Sequence, residues 1–200
     1  MTDLNWPRIQ ARIGVTPDGQ PGPRTYAALF SKVAGRDLGD RGRDLGVGAS
    51  QYLARYRIIT PLRLAHFLGQ TSHESGRYKY LREIWGPTPQ QARYEGRIDL
   101  GNVQAGDGKR FMGRGILQIT GHGNYHRASG RIGVDIESNP PLAERPDIAV
   151  LTACDFWAAH NLNELADADN LRALTRAING GVNGIADRIE LTNVAKGMLA

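Results

Sequence analysis

Two hundred residues, 40% hydrophobic and 22% charged, suit one globular domain, or one with a small appendage, that can bury a sizeable core. The single cysteine, Cys154, excludes an internal disulfide and a Cys-based metal cluster, and its apolar surroundings from Ala149 to Trp157 mark it as a buried, inert thiol. No apolar run approaches the roughly 20 residues of a membrane span, and a net charge of +5 favours anionic partners (nucleic acid, a membrane face or a bacterial wall) without choosing among them.

The chain opens Met1-Thr2-Asp3-Leu4-Asn5-Trp6-Pro7, with neither a basic start nor an apolar stretch, so no secretory leader is expected and synthesis in the cytoplasm is. Trp6 to Ile13 reads as a short helix ended by Gly14, and Val15 to Pro23 is dense turn chemistry. Thr25 then precedes a second helix through Tyr26 and Phe30. Ile13-Gly14, Asp18-Gly19 and Gly22-Pro23-Arg24-Thr25 resemble the repeat of small peptidoglycan-binding modules over about 30 residues, although the further helix of such modules is lacking. Residues 1–35 are therefore either a wall-binding segment or a helical pair packed on the main domain. Residues 36–49, rich in Gly, Asp and Arg, read as a linker, and 50–200 as the main domain.

Within that domain Thr60-Pro61 opens a helix with Leu64, Phe67, Leu68 and Thr71 along one face and Glu74 a turn further, stopping near Gly76. Glu83 follows nine residues later. On one continuous helix the two carboxylates would lie about 13 Å apart along the axis and point roughly half a circle away from each other. Serving one cleft requires the chain to leave the helix after Gly76, and Gly86-Pro87 marks irregular structure soon after. Segments 94–102 and 111–120 are candidates for a small sheet. Helices are expected again over 124–129, 146–160, 171–179 and 186–199. The fold class is mostly α, an α+β helical domain with a small β lobe. A Glu at the end of an apolar helix, a second Glu and a Gly-rich segment ending in polar side chains suit glycosidic bond cleavage, in which one carboxyl protonates the leaving oxygen and another activates water or attacks the sugar.

His73-Glu74-Ser75-Gly76, Leu81-Arg82-Glu83, Gly113-Arg114-Gly115-Ile116-Leu117-Gln118-Ile119-Thr120, Asn124-Tyr125 and Ile178-Asn179-Gly180-Gly181 together resemble glycoside hydrolase family 19, in particular its phage endolysin branch, close to the bacterial chitinases. The five motifs stand in the family's order from about Leu62 to Arg188. The resemblance implies a lysozyme-like fold and inversion at the anomeric carbon. It puts the general acid on Glu74, the base on Glu83 and the water-positioning hydroxyl on Thr120. Sugar contacts fall to Gln118, Asn124 and Asn179, with Tyr125 beside them. The longer loop that precedes the second Glu in plant members is absent, which keeps Glu95 as an alternative base, and Gly121-His122-Gly123 departs from the bulkier plant version.

The residues agree with these roles: an apolar helix end should partly desolvate Glu74, while Arg82 should keep Glu83 ionised. Tyr78, Tyr80, Trp85 and Tyr94 could stack on sugar rings or pack in the core, and one of Arg110 and Arg114 is expected to orient a carboxylate. His66, His73, His122, His126 and His160 lack zinc spacing. No metal or organic cofactor is implied. The expected protein is a monomeric endolysin cutting the β-1,4 glycan strands of peptidoglycan, without nucleic-acid partner or membrane insertion, reaching the wall through a holin-type membrane partner. The alternatives are a chitinase, a lytic transglycosylase and a non-catalytic wall-binding protein.

Overall fold

The computed structural model describes residues 4–200; Met1, Thr2 and Asp3, the head of the expected leaderless start, lie outside them. Eleven α-helices are described: α1 (Trp6–Ile13), α2 (Pro23–Ala34), α3 (Gly39–Tyr52), α4 (Pro61–Glu74), α5 (Pro89–Ala92), α6 (Asp107–Arg110), α7 (His122–Ile132), α8 (Pro146–Ala159), α9 (Leu162–Asp167), α10 (Leu171–Asn179) and α11 (Ile185–Leu199). None is long and apolar enough to cross a membrane.

The boundaries follow local chemistry. In α1 the Asn5 side chain accepts from the Arg8 amide, Pro7 sits in the first turn, and Gly14 closes the helix in the left-handed conformation. For α4, the Thr60 hydroxyl accepts from the Arg63 amide and Pro61 takes the first helical position. Every side chain from Leu64 to Ser72 is buried, so α4 is a central helix wrapped by others rather than a surface helix with one apolar stripe.

Two apolar clusters organise the molecule. The larger joins Ile9 and Ile13 of α1 and Leu29 and Phe30 of α2 to Phe67 of α4, Trp157 of α8 and Leu191 of α11. The smaller gathers Phe111, Tyr125, Ile132, Ile136 and Leu151 beneath the loops. Helix α8 serves both, which explains why it is apolar all round: Val150 and Cys154 face the first cluster, Ile148 and Leu151 the second. Burial pushes the Cys154 thiol well up, as its apolar surroundings suggested.

Two expectations are corrected. The stretch 36–49 is not a linker, since most of it is α3, which packs between α2 and α8. Its glycines read as flexibility but act as clearance: a Cβ on Gly46 would stand 2.2 Å from the Pro23 carbonyl oxygen. The described part of the 1–35 segment, residues 4–35, shares the main core, and the Arg12 guanidinium donates to the carbonyls of Gly197 (2.8 Å) and Met198 (3.1 Å) at the end of α11. The β lobe shrinks, among the described residues, to the isolated bridges Arg82–Arg114 and Arg114–Ile119. Segment 94–102 is turns and a 3₁₀ turn at Ile98–Leu100. Side chains supply the pairing that a sheet's ladder would otherwise have provided.

Candidate active site

One wall of the site is helical. Glu74 ends α4 with its side chain 21% exposed, and its Oε1 accepts from Nη2 of Arg188, a residue of α11 that is itself 1% exposed. Arg188 Nη1 donates to Gln70 Oε1 (2.5 Å), one turn earlier on α4, and its Nε donates to the Asn183 carbonyl (3.0 Å). The surroundings of Glu74 are therefore charged, not simply apolar as expected from the helix it ends. Among the described residues Oε2 has no partner, which leaves that oxygen for a substrate. Next to it, His73 Nδ1 meets Asp187 Oδ2 at 2.6 Å and Arg77 donates to Asp187 Oδ1 at 2.9 Å. Burial pushes the Asp187 carboxyl up, but the hydrogen bond to His73 and the charge of Arg77 outweigh it and hold it below the usual range. Helices α4 and α11 meet closely: a Cβ on Gly69 would lie 2.8 Å from the Thr192 backbone.

After Ser75 the chain reverses through Gly76, Arg77 and Tyr78, all with φ near +60° (57°, 58° and 61°). A bulky residue rarely takes that conformation and holds it only where its surroundings compel it. Tyr78 is compelled by burial: its hydroxyl donates to the Leu68 carbonyl at 3.0 Å, lies 3.0 Å from Thr71 Oγ1, and its ring sits edge-on to Phe30 at 5.0 Å. This turn is what takes Glu83 off the helical path of Glu74.

Glu83 belongs to a wall of loops. Its amide donates to the Gly113 carbonyl (2.9 Å), and its Oε2 accepts from the Gly113 amide (3.1 Å). Its Oε1 accepts from Gln91 Nε2 (3.0 Å) and the Tyr94 hydroxyl (3.3 Å). Burial, then the Glu83 charge, push the Tyr94 phenol up, so it remains a donor. Gly113 is the hub: a Cβ there would meet Gln118 Oε1 at 2.8 Å, Glu83 Oε2 at 3.3 Å and Thr120 Oγ1 at 3.3 Å. Glu83, Gln118 and Thr120 are thus brought together around one residue.

Thr120 Oγ1 donates to the Gln118 carbonyl (2.9 Å), which leaves its lone pairs to receive a proton. Asn124 Nδ2 donates to the Thr120 carbonyl (2.7 Å), and Gln118 Nε2 to the Gly115 carbonyl (2.7 Å). Gln118, Thr120 and Asn124 line a cavity of 320 Å³ that extends to Ile178, beside Asn179. Asn179 ends α10, its Oδ1 accepting from the Gly181 amide at 2.9 Å. Tyr125 does not join them. It is fully buried, its hydroxyl donating to the Met112 carbonyl (2.9 Å), and so it holds the floor of the loops instead of touching a sugar. Glu95 belongs to a different group from Gln118 and Thr120: its two oxygens accept backbone amides, from Gly106 (2.6 Å) and Gly108 (2.9 Å), which pins the start of α6. Arg114 is buried and donates to Glu144 at 2.7 Å, whereas Arg110 is exposed beside Phe111.

Sequence reasoning missed Arg188, Gln91 and Tyr94 as partners of the two carboxylates. A signal existed for the first, because Arg188 stands three and seven residues before Leu191 and Ala195 and so falls on the buried face of α11. No periodicity could have found Gln91, whose partners come from a loop.

Residues 59–171 match the family model described as chitinase class I. The chain is 32% identical over 169 residues to a glycosyl hydrolase family 19 domain-containing protein of Haemophilus influenzae, covering 71% of this chain and 82% of that one. It is also 32% identical over 165 residues to the Arabidopsis thaliana endochitinase At2g43620, spanning 80% of this chain but only 54% of the plant protein. Chitinase C from Streptomyces griseus has the same fold, with a TM-score of 0.68 at 22% identity over 90% of this chain and 95% of the other. A class IV chitinase from Zea mays gives 0.64 at 24% identity, over 87% and 91%. The chain belongs to glycoside hydrolase family 19, a family of glycosidases.

Proposed function

We propose that the protein hydrolyses the β-1,4 bonds of bacterial peptidoglycan with inversion, as an endolysin, with Glu74 as acid and Glu83 as base. The observation that carries this reading is the grouping of Glu83, Gln118 and Thr120 around Gly113, which can hold a water between a carboxylate and a hydroxyl. In the step, Glu74 Oε2 gives its proton to the leaving glycosidic oxygen as the C–O bond breaks. Water attacks the anomeric carbon from the other face and passes a proton to Glu83. Room for that water calls for carboxyls about 6.5–9.5 Å apart. Gln118, Asn124 and Asn179 orient the sugar. The net charge of +5 suits an anionic wall, and passage to that wall through a holin-type partner belongs to the same reading.

A chitinase reading is supported by the names of the plant relatives, endochitinases among them. The test is product analysis from purified sacculi and from chitin oligosaccharides in heavy-oxygen water, for wild type and Glu74→Gln. Labelled reducing ends from sacculi, absent in the variant, are expected. Cleavage of chitin alone would establish the second reading, and anhydro ends would mean a transglycosylase.

A further inference from the structure

The Glu83 wall also lines a second cavity, of 720 Å³, whose cations the hydrolytic step does not use. Lys79, Arg82 and Lys109 line it together with Arg41 and the aromatic rings of Tyr80 and Trp85, against only two carboxylates, Glu83 and Glu144. Glu144 is already taken by the buried Arg114 at 2.7 Å, so Arg82, 59% exposed and 3.7 Å from Glu144, is a marginal partner to it. Among the described residues Lys79 and Lys109 pair with no carboxylate, although Lys79 lies over the Tyr80 ring at 5.0 Å. Arg41 differs from the other three, because its guanidinium is committed to the carbonyls of Tyr78 (3.0 Å) and Lys79 (2.6 Å) behind the reversing turn.

Beside the proposed base thus stand two cations without a carboxylate partner and a third, Arg82, that is only marginally paired. They repel nothing in chitin and attract nothing either, whereas they lower the electrostatic energy of any chain that carries carboxylates next to the bond being cut. We propose that this cavity is a subsite for the carboxylate-bearing peptide stem of a glycan strand, with Lys79, Arg82 and Lys109 as its specificity-determining residues. The proposal rests on the peptidoglycan reading above. The exposed ring of Tyr80 and the half-buried ring of Trp85 give the stem's apolar parts a surface to lie on, while the ammonium and guanidinium groups receive its carboxylates. Because these charges are exposed, their pull should fade as salt shortens the Debye length to about 8 Å at physiological strength and less beyond it.

The experiment compares wild type with K79Q/R82Q/K109Q on three substrates: native sacculi, sacculi whose stem carboxylates have been capped as amides, and chitin oligosaccharides. The expected result is a roughly tenfold fall in wild-type kcat/KM on capping, an equal fall for the triple variant on native sacculi, and no further fall for the variant on capping, as for the loss of about 1.4 kcal/mol of binding. The ratio of sacculus to chitin-oligosaccharide turnover should drop by the same factor, and the salt dependence on sacculi should flatten. A variant that keeps the preference for native over capped sacculi overturns the proposal, as does one that loses equally on all three substrates. Wild type that cuts chitin oligosaccharides but frees no ends from sacculi would topple the peptidoglycan reading itself, a result distinct from the other two.

Discussion

The two walls of the cleft are built on different principles. The Glu74 wall is a helix crossing in which α4 and α11 approach backbone to backbone at Gly69 and Thr192, locked by a buried guanidinium. The Glu83 wall, residues 75–121, has only short helical turns and isolated bridges, and is stitched by side chains. Gln91 joins Glu83 and the Ile84 carbonyl to the amides of Gly86 and Thr88; Asn102 joins the Tyr94 carbonyl to the His122 amide; Glu95 holds Gly106 and Gly108. On the helical wall, one residue serves both fold and chemistry. On the stitched wall, positioning is spread over several polar contacts, each worth about 0.5–1.5 kcal/mol net. Damage should therefore cost stability and activity together on the first, and chiefly activity on the second.

The largest effect tests the shared chemistry. Glu74→Gln should lower kcat by about 10²–10⁴-fold, the usual contribution of a positioned acid, and should lower the melting temperature as well, because it leaves the buried Arg188 without its charged partner. Next comes Gly113→Ala on the stitched wall. Its methyl would intrude on Gln118, Glu83 and Thr120 at 2.8–3.3 Å, and displacements of this kind cost about 10²-fold in rate. Its unfolding free energy in urea should fall by much less than that of Arg188→Met. Arg188→Met should cost about 3–5 kcal/mol, because it strips partners from Glu74 and Gln70 in a buried setting. Equal stabilities for these two variants would break the comparison.

Gln91→Ala should sharpen it. The variant loses the donor to Glu83 Oε1 and should cost about 1–3 kcal/mol at most in urea melts while cutting kcat by a comparable factor. The smallest effect concerns pH. Burial holds the His66 imidazole below its ordinary 6.5 despite Asp169 at 2.7 Å, and its other ring nitrogen has no partner among the described residues. The unfolded chain binds a proton near 6.5 that the folded chain refuses, so stability should be full above that pH and decline as pH falls through and below it. Thermal melts between about pH 8 and pH 5 would show the slope, and it should flatten in His66→Gln.

Much of the helical wall was legible in the sequence because its signals are local. Thr60 and Pro61 begin α4, and the spacing of Leu64, Phe67, Leu68 and Thr71 leads to Glu74. The need for the chain to leave the helix before Glu83 was also readable from 3.6-residue geometry. The means was not, since nothing local announces three successive left-handed residues held by a buried Tyr78. Helix α3 was hidden because glycine signals flexibility and close packing alike, and only the position of Pro23 and Ala27 decides between them. The expected sheet failed for a related reason. Segments 94–102 and 111–120 were candidates for paired strands, but the side chains of Gln91, Glu95 and Asn102 satisfy backbone groups around them instead, through bonds that span 7 to 20 residues. Tyr125 was drawn to the sugar by its neighbour Asn124, yet one step along α7 turns a side chain by roughly 100° and into the core.

Arg188 touches Gln70 and Glu74, two residues one turn apart on α4, from a single planar fork on α11. A fork of fixed width reads spacing. Sliding either helix by a single residue would move the pair by about 1.5 Å and rotate it by roughly 100°, and the guanidinium could then reach neither oxygen properly. The bond that aims Glu74, the proposed acid, is therefore also the gauge of helix register. Molecules that dock these helices out of step would be inactive by construction, and a preparation's specific activity would count its correctly registered fraction.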